Sequence, residues 1–464
     1  MHKQQERYVN IRNNQRKQSQ NLAAQSSHQR IQALNQLKNL LVENEESFLA
    51  TLKADLNKPP VEAYASEIGV LLNEIDFIQK NLDKWLKSKK HRRLLITGFE
   101  RVEISRRSYG SILVLAPWNY PLQLALMPVV GALAGGNSVV LKPSEHAPNT
   151  SRLLAELVPL YFNSKTFAVV EGDSEVAEQL TAIEWDFIFF TGSKNTGQKV
   201  YEAASKHLTP VLLELGGKNP CIVDETGLND EAMKQIVWGK FLNAGQSCIA
   251  PDTVYVERKI YPDFLKKLTQ KINDFYGNHP IQSADYGRII SEKQFEQVVD
   301  FLEDGRIYSG GKKVKKERYI APTVLVDIKA GSKVATEEIF GPILPVVPYD
   351  SLESVLNQLE SMPTPLVTYV FSHNNQLIQQ VEQRLESGTL SVNQAILHST
   401  SPYLPFGGKE KSGLGRYHGE ASFNALTYEK SIYTKTSFFS LNSQYPPYTK
   451  KALQALRKFR KHIF

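Results

Sequence analysis

The spacing of apolar residues changes along the 464-residue chain from a helical to a strand-like pattern. Up to about Lys90, apolar residues recur at intervals of three and four, as at Leu34, Leu37 and Leu41. This spacing places them on one face of a helix and predicts an N-terminal region of helices packed on a core. Residues 92–108 alternate instead and carry β-branched and charged side chains, which indicates an extended arm.

Short apolar runs then alternate with helical stretches up to about residue 215. These runs are typical of strands buried on both faces, and they lie at Ile112–Ala116, Ser138–Leu141, Phe167–Val170, Trp185–Phe190 and Pro210–Leu215. A second series of strands and helices follows from Cys221 to Val392. Repeated strand–helix units predict an α/β fold with a doubly wound parallel sheet.

Polar and small residues follow the ends of several of these strands. They are Asn119, Lys142, Glu145, Thr191, Gly192, Ser193 and Glu214. In doubly wound sheets, ligands bind in the crevice outside the carboxyl ends of the strands. We therefore expect the functional groups of this chain to gather at that edge.

A candidate nucleophile lies at the end of another predicted element. A helix that begins near Asp230 runs into the small and polar residues Ala244–Ser247, and Cys248 follows at once. Small residues let a ligand approach the backbone closely, and a thiolate at this position would be a strong nucleophile. The alternative is that Cys248 is a small buried hydrophobe, as free cysteines commonly are. The cysteine alone favours this alternative, so the decision depends on the other motifs.

Asn119, Glu214 and Cys248 together would permit one type of chemistry. A thiol that adds to a carbonyl produces an oxyanion, which the Asn119 amide and the backbone N–H of Cys248 could stabilise. Release of the resulting thioester by water needs a general base, and Glu214 is a candidate. Taken singly, Asn119 is equally well explained as a turn residue before Pro121, and Glu214 as half of an ion pair at a strand end.

The segment Gly192–Gly197 lies between a predicted strand and a predicted helix, where a helix N-terminus could face a phosphate. It does not match the dinucleotide fingerprint with two close glycines. It also lacks the Lys-Ser/Thr pair of a triphosphate-binding loop. On this evidence alone an ordinary turn is the better interpretation.

Composition and charge exclude several classes of function. The net charge of +7 arises largely from Lys and Arg residues between Lys450 and Lys461, so a broad basic face for nucleic acid is not expected. The 2 cysteines are too few for a disulfide scaffold or a cysteine metal cluster. No secretory leader is expected, and Pro and Gly interrupt Leu122–Leu141 before it reaches the roughly 20 apolar residues of a membrane span. These features predict a reduced, cytoplasmic, soluble protein without a metal.

Seven stretches in a fixed order resemble the aldehyde dehydrogenase family. They are Pro117–Pro121, Leu141–Glu145, Phe190–Ser193, Leu213–Lys218, Asn243–Cys248, Glu337–Pro342 and Pro405–Gly408. With weaker similarity on either side, the resemblance extends from about residue 60 to 430. The segments Lys206–Pro210 and Ser412–Gly419, with Ser422 and Phe423, further resemble the class 3 branch of the family, as does the short N-terminus.

This resemblance implies a role for each candidate residue. Cys248 would attack the aldehyde, Asn119 and the Cys248 N–H would hold the oxyanion, and Glu214 would activate water. The implied cofactor is NAD, with NADP as the alternative. Its implied contacts are Lys142 and Glu145 at the adenosine ribose, Gly192, Ser193 and Gly197 near the pyrophosphate, and Glu338 and Phe340 at the nicotinamide ribose and ring. A carboxylate at Glu145 would repel a 2′-phosphate and so favours NAD.

The substrate pocket is assigned by position within the resembling segments. Its predicted residues are Tyr120, Trp238, Ile396, Thr400 and His418. They are largely apolar and aromatic, which favours medium- or long-chain aliphatic aldehydes, or aromatic aldehydes, as substrates. A CoA-acylating aldehyde dehydrogenase and a non-catalytic binding protein on the same fold are the rival functions. Glu214 argues against the first rival, and the presence of the complete set of catalytic and cofactor residues argues against the second.

The resemblance also implies the domain organisation. Residues 1–91 and 109–213 would form a Rossmann-like NAD-binding domain and residues 214–410 the α/β catalytic domain. Residues 92–108 and 411–441 would form small β-arms that pair across a homodimer. Residues 442–464 would form a basic amphipathic tail. This tail is interpreted either as a helix packed on the body or on the partner subunit, or as a peripheral contact with an anionic membrane.

Overall fold

Helices form the N-terminal region, as the periodicity predicts. The computed structural model describes residues 2–91, 100–435 and 445–463. The first helices are α1 (His2–Ala23), α2 (Ser27–Glu43), α3 (Glu45–Leu56), α4 (Pro60–Ala63) and α5 (Gly69–Trp85). A single π-helical turn, Tyr64–Ile68, joins α4 to α5. The apolar face of α2, with Leu34, Leu37 and Leu41, is fully buried.

The first sheet contains all five strands predicted before residue 215. Its parallel strands and their helices are β3 (Ser111–Leu115), α6 (Gln123–Gly135), β4 (Ser138–Lys142), α7 (Pro148–Tyr161), β5 (Phe167–Val169), α8 (Ser174–Thr181), β6 (Phe187–Gly192), α9 (Lys194–Ser205) and β7 (Val211–Leu215). The strands lie in the order β7-β6-β3-β4-β5. β3 and β4 are buried along their whole length, because helices cover both faces of the sheet.

The second sheet has seven strands and is more extensive than the sequence predicted. Its elements are β8 (Pro220–Val223), α10 (Asp230–Phe241), β9 (Thr253–Glu257), α11 (Tyr261–Tyr276), α12 (Glu292–Asp300), β10 (Arg306–Ser309), β13 (Thr323–Val326), α13 (Lys333–Thr336), β14 (Ile343–Tyr349), α14 (Leu352–Glu360), β15 (Val367–Phe371), α15 (Asn375–Arg384) and β16 (Thr389–Val392). The strand order is β10-β13-β14-β9-β8-β15-β16, and only the edge pair β10–β13 is antiparallel. Both β10 and β13 were missed, and β10 is a largely exposed edge strand without an apolar run. The basic run 312–318 comprises β11 (Lys313–Val314) and the largely exposed turn that leads to β12 (Tyr319–Ile320), and the two strands pair as an antiparallel hairpin.

After the second sheet the chain returns to the first. β17 (Gly413–Leu414) pairs antiparallel with β7 and places Gly413 directly opposite Glu214. α16 (Glu420–Ala425) then packs against α6. The predicted arm began at residue 411, whereas the structure places these residues on the body of the protein. β17 is thus the edge strand of the first sheet next to β7, which carries Glu214.

A third, small sheet forms the arm. β2 (Glu100–Ser108) pairs antiparallel with β18 (Thr427–Lys435) along its whole length, and β1 (Lys89–Lys90) flanks β2. The side chains of β18 are mostly exposed. The parts of the predicted arms at residues 92–99 and 436–441 lie outside the described residues.

The C-terminal helix α17 (Lys450–Ile463) is strongly amphipathic. Of the side chains described in this helix, all except Ala452 are exposed, and Leu453 and Leu456 are 50% and 38% exposed. Within the described ranges, no helix combines the length and the apolar character needed to cross a membrane.

Candidate active site

A cavity of about 310 Å³ lies where the two sheets meet. The predicted residues that line it are Asn119, Tyr120, Gly192, Ser193, Glu214, Cys248, Glu338, Phe340, Ile396, Thr400 and His418. They come from the carboxyl ends of β3, β6 and β7, from the segment after α10, from the loop between α13 and β14, and from the loops after β16 and β17. The tertiary structure therefore brings together residues that are separated by up to about 300 positions in the chain.

Cys248 is presented by a strained turn at the end of α10. Asn243 and Ala244 both have φ of 52°, and Gly245 has φ of 73°. Such left-handed conformations cost roughly 1–3 kcal/mol at each non-glycine residue and persist only where the surroundings hold them. A Cβ at residue 245 would lie 2.3 Å from the carbonyl oxygen of Gly341, so only glycine fits there.

Hydrogen bonds from several elements hold this turn in place. The backbone N–H of Asn243 donates to Glu62 Oε1 (2.9 Å). The side chain of Gln246 donates to the carbonyl oxygens of Asn243 (2.9 Å) and Arg288 (3.0 Å) and accepts from the N–H of Ile290 (3.0 Å). The turn is thus connected by specific bonds both to α4 and to the loop before α12.

Asn219 fixes the backbone at the cysteine itself. Its Nδ2 donates to the carbonyl oxygens of Cys248 (2.7 Å) and Ala250 (3.0 Å), and its Oδ1 accepts from the N–H of Val367 (3.0 Å). It is 1% exposed. Sequence reasoning missed this residue, although it lies directly after the resembling stretch that ends at Lys218.

Asn119 is buried beside the cysteine loop. Its side-chain Nδ2 donates to the carbonyl oxygen of Gln246 (3.2 Å), so the amide faces the segment that carries Cys248. Its backbone carbonyl accepts from Lys58 Nζ (3.0 Å) and Asn243 Nδ2 (2.8 Å). These two donors restrict the backbone that orients the amide.

Glu214 is a buried carboxyl group whose two oxygens have no hydrogen-bond partner among the described residues. Burial raises its pKa well above the usual range for glutamate, and the positive charge of Arg416 opposes this effect. Uncompensated burial of this kind is rare for a carboxyl group with a purely structural role. The oxygens are therefore free to contact a ligand or water in the cavity.

The thiol of Cys248 lies close to two carboxyl groups. Burial, followed by the negative charges of Glu338 and Glu214, raises its pKa. Hydrogen bonds from the backbone N–H groups of Cys248 and Ile249 act in the opposite direction. The protein itself thus stabilises the neutral thiol, while these two donors are in place for negative charge that forms at the cavity.

Glu338 lies against Gly216 and Gly217, the residues that follow β7. Burial and the negative charge of Asp252 raise its pKa to about 8, whereas a hydrogen bond from the Gly217 N–H and the cations Lys218 and Lys240 oppose the shift. Its Oε1 has no partner among the described residues. A Cβ at residue 216 would lie 2.0 Å from Oε2, so a side chain at this position would displace the carboxyl group.

Four of the predicted cofactor residues, Gly192, Ser193, Glu338 and Phe340, line the cavity. Lys142 Nζ and Glu145 Oε2 form an ion pair of 2.5 Å at the end of β4. Ser193 caps α9 by accepting from the N–H of Thr196 (3.4 Å). A Cβ at Gly197 would lie 2.5 Å from the Leu215 side chain, which explains the glycine by packing. Lys142, Glu145 and Gly197 do not line the cavity itself.

The residues of the predicted substrate pocket separate into two groups. Tyr120, Ile396, Thr400 and His418 line the cavity, whereas Trp238 does not. Trp238 lies in the last turn of α10 and packs, partly buried, against the hydrophobic core. Its assignment to the pocket stays a prediction.

His418 contributes a neutral wall to the cavity. It stacks on Phe406 with ring centroids 5.2 Å apart, and burial lowers its pKa to about 4. Its Nε2 has no partner among the described residues. Together with Val70, Leu124 and Ile249, which sequence reasoning missed, it gives the cavity a largely apolar lining.

The comparisons with known proteins agree with this geometry. The family model described as "Aldehyde dehydrogenase family" matches residues 2–432. The chain is 48% identical over 414 residues to 4,4'-diapolycopene-4,4'-dial dehydrogenase of Cytobacillus firmus, covering 89% of this chain and 91% of that protein. It is 40% identical over 420 residues to aldehyde dehydrogenase family 3 member A2 of Rattus norvegicus, covering 90% and 87%.

Among solved structures, the substrate-bound state of Staphylococcus aureus AldH superimposes with a TM-score of 0.94 at 37% identity. The match covers 97% of this chain and 99% of that one. Sequence, fold and cavity thus agree over nearly the whole length, and the chain belongs to the aldehyde dehydrogenase family.

Proposed function

We propose that the protein oxidises an apolar aldehyde to the carboxylic acid through a covalent intermediate on Cys248. One observation carries the proposal: a thiol, an unpartnered buried carboxyl group and a side-chain amide surround a single largely apolar cavity. Thiol addition to a carbonyl requires the first and the third of these groups, and hydrolysis of the thioester requires the second.

The proposed steps assign one task to each of the three residues. The sulfur of Cys248 attacks the aldehyde carbon to form a thiohemiacetal, while the Asn119 amide and the Cys248 N–H donate to the developing oxyanion. A bound NAD would supply the acceptor for the hydride on the thiohemiacetal carbon. Glu214 then takes a proton from water, which attacks the thioester and releases the acid and the thiol.

Two features of the chain fit NAD, and one of them, Glu145, also disfavours NADP. The Glu338 oxygen without a partner, beside a glycine that permits close approach, suits a ribose hydroxyl. Glu145 would accept from a ribose 2′-hydroxyl and repel a 2′-phosphate. We further infer that residues 1–91 and 109–213 bind this cofactor and that residues 214–410 supply the catalytic domain.

The apolar lining supports medium- or long-chain aliphatic aldehydes, or aromatic aldehydes, as substrates. His418 is neutral at physiological pH because burial lowers its pKa, so it does not attract a substrate carboxylate. The names of the relatives agree with this class, since one of them is a dehydrogenase of a polyene dialdehyde.

The first prediction concerns turnover itself. NADH formation with aldehydes from acetaldehyde to hexadecanal, and with benzaldehyde, should increase in kcat/KM with chain length and should disappear in Cys248→Ala. It should not require CoA, and kcat/KM should be higher with NAD than with NADP. Turnover that requires CoA would identify an acylating enzyme, and NAD binding without any turnover would favour a non-catalytic protein.

The second prediction separates the two carboxyl groups beside the thiol. In Glu214→Gln, one equivalent of NADH should form in a burst, followed by steady turnover reduced by about 10²–10⁴-fold, because water is no longer activated. Wild-type turnover should rise with pH, since the raised pKa values of Cys248 and Glu214 leave both groups protonated at low pH. Glu338→Gln is the matched control and should retain deacylation but require more NAD. A burst in Glu338→Gln, with steady turnover retained in Glu214→Gln, would transfer the role of base to Glu338.

The third prediction concerns assembly. We infer a homodimer that forms through the arm, because β18 is a nine-residue strand with mostly exposed side chains, and β2 is its only strand partner among the described residues. Exposed strands of this length at the edge of a sheet favour pairing with another chain. Light scattering during size exclusion should give twice the chain mass of 52.4 kDa, and a monomeric mass would exclude this interface.

The fourth prediction concerns the tail, which we propose makes a peripheral contact with anionic membrane. The exposed apolar residues Leu453 and Leu456 and the neighbouring basic residues support an amphipathic helix lying in an interface. The full-length protein should cosediment with liposomes that contain phosphatidylserine, and less so with neutral liposomes. A chain that ends at Tyr445 should not bind; equal binding of the two chains would exclude the membrane role.

A further inference from the structure

A buried ion pair lies directly behind the proposed oxyanion site, in a region that sequence reasoning treated only as helical packing. Lys58 precedes α4, and Glu67 lies in the π-helical turn Tyr64–Ile68. Their charged groups contact each other and are 0% exposed. We propose that Lys58 and Glu67 are positioning residues that hold Asn119 in register for oxyanion stabilisation; this inference rests on the proposed function.

Lys58 binds the Asn119 segment directly. Its Nζ donates to the carbonyl oxygen of Asn119 (3.0 Å) and lies 3.9 Å from the ring centroid of Tyr120. A cation in these two contacts fixes the peptide unit from which the Asn119 side chain projects. Since donors must meet the oxyanion within a few tenths of an ångström, the backbone at Asn119 determines how well the amide does so.

Glu67 holds the other end of the same segment. Its Oε1 pairs with Lys58, and its Oε2 accepts from the backbone N–H groups of Leu122 (2.9 Å) and Gln123 (3.1 Å). These groups lie at the start of α6, where backbone donors have no partner within the helix and negative charge is stabilising. One carboxylate thus joins the helix start to Lys58, and the residues Asn119–Gln123 are held at both ends.

The same short region also holds the cysteine loop. Glu62 in α4 accepts from the N–H of Asn243, and Asn243 Nδ2 donates to the carbonyl oxygens of Asn119 (2.8 Å) and Gln246 (3.2 Å). The same group of contacts therefore holds the two segments that carry the proposed oxyanion donors, which are the Asn119 side-chain amide and the Cys248 N–H. A π-helical turn within a helix is frequent at functional sites, which fits this role.

The charges are difficult to explain by stability alone. Two buried ions lose their hydration, and replacing such a pair with well-packed neutral residues is often neutral or stabilising. Among the described residues, the side chains of the pair make all their bonds beyond their own contact to the Asn119–Gln123 segment, including the ring of Tyr120. This pattern favours a role in positioning that segment.

The test uses two reactions of the same thiol. Hydrolysis of 4-nitrophenyl acetate begins with attack of the Cys248 sulfur on the ester carbonyl, forms an oxyanion, and expels 4-nitrophenolate. Alkylation by iodoacetamide displaces iodide from a saturated carbon and forms no oxyanion. A positioning role at Asn119 should affect the first reaction and leave the second unchanged, whereas general damage to the site should slow both.

In the double variant Lys58→Met, Glu67→Gln, the rate of ester hydrolysis and kcat for the aldehyde should fall by about tenfold to a hundredfold, as expected when a catalytic donor is displaced. The iodoacetamide rate and the melting temperature should match those of the wild type. The pair Lys38→Met, Asp76→Asn removes an exposed ion pair of 2.6 Å and serves as the matched control. Should the first variant not fold, Lys58→Gln, Glu67→Gln retains polar side chains but shortens the one that reaches Asn119.

A second measurement tests whether the pair acts through Asn119. Adding the double change to an Asn119→Ala background should cause no further loss of ester hydrolysis, because the group that is positioned is already absent. Additive losses would overturn the inference, as would unchanged hydrolysis in the double variant or parallel loss of hydrolysis and alkylation. Absence of aldehyde oxidation by the wild type would instead defeat the proposed function, so the two failures are distinguishable.

Discussion

Desolvation of three acidic groups in one small cavity is the constraint on which the rest of the site depends. Glu214 is buried and Cys248 and Glu338 are partly buried, and burial is the largest cause of the raised pKa of each. The two carboxyl groups also raise the pKa of the thiol. Negative charge can therefore form in the cavity only where fixed donors or a bound ligand replace the lost hydration. Preorganised donors of this kind stabilise the charge that develops in a transition state more than they stabilise the ground state.

Fixed donors in turn require a backbone that does not relax. The turn at Asn243–Gly245 adopts three successive left-handed conformations, which a free chain would avoid. Bonds from Glu62, Gln246 and Asn219 offset this strain and hold the segment from several sides. The buried Lys58–Glu67 pair adds a further support on the Asn119 side. A rigid, polar outer layer around an apolar cavity is the common feature of these contacts.

Residues of the first sheet and of loops next to strands of the second sheet line the cavity, and the chain returns to the first sheet after it has formed the second. β17 places Gly413 opposite Glu214, and the following residues bring Arg416 and His418 to the same edge. The Glu214 carboxyl group in β7 thereby lies near the Arg416 guanidinium and the His418 ring, which come some 200 residues later in the chain. These later residues help to cover Glu214, so its unpartnered oxygens are shielded from bulk water.

The sequence by itself determined the local elements and the chemistry-bearing residues. Apolar runs such as Ile112–Ala116 predicted the buried strands, because a strand covered on both faces requires a continuous apolar sequence. Ordered motifs identified the family and located Asn119, Glu214 and Cys248 at element ends. The exposed edge strand β10 was missed, because partial exposure leaves no such run.

Only the tertiary structure decided which of these residues meet. Trp238 has a suitable side chain but packs against the hydrophobic core and is not among the residues that line the cavity. Lys58 and Glu67 have no local pattern that distinguishes them from surface charges, and their roles follow from contacts with residues up to about 60 positions away. Burial, charge proximity and backbone strain arise from long-range packing, so neither composition nor spacing could have specified them.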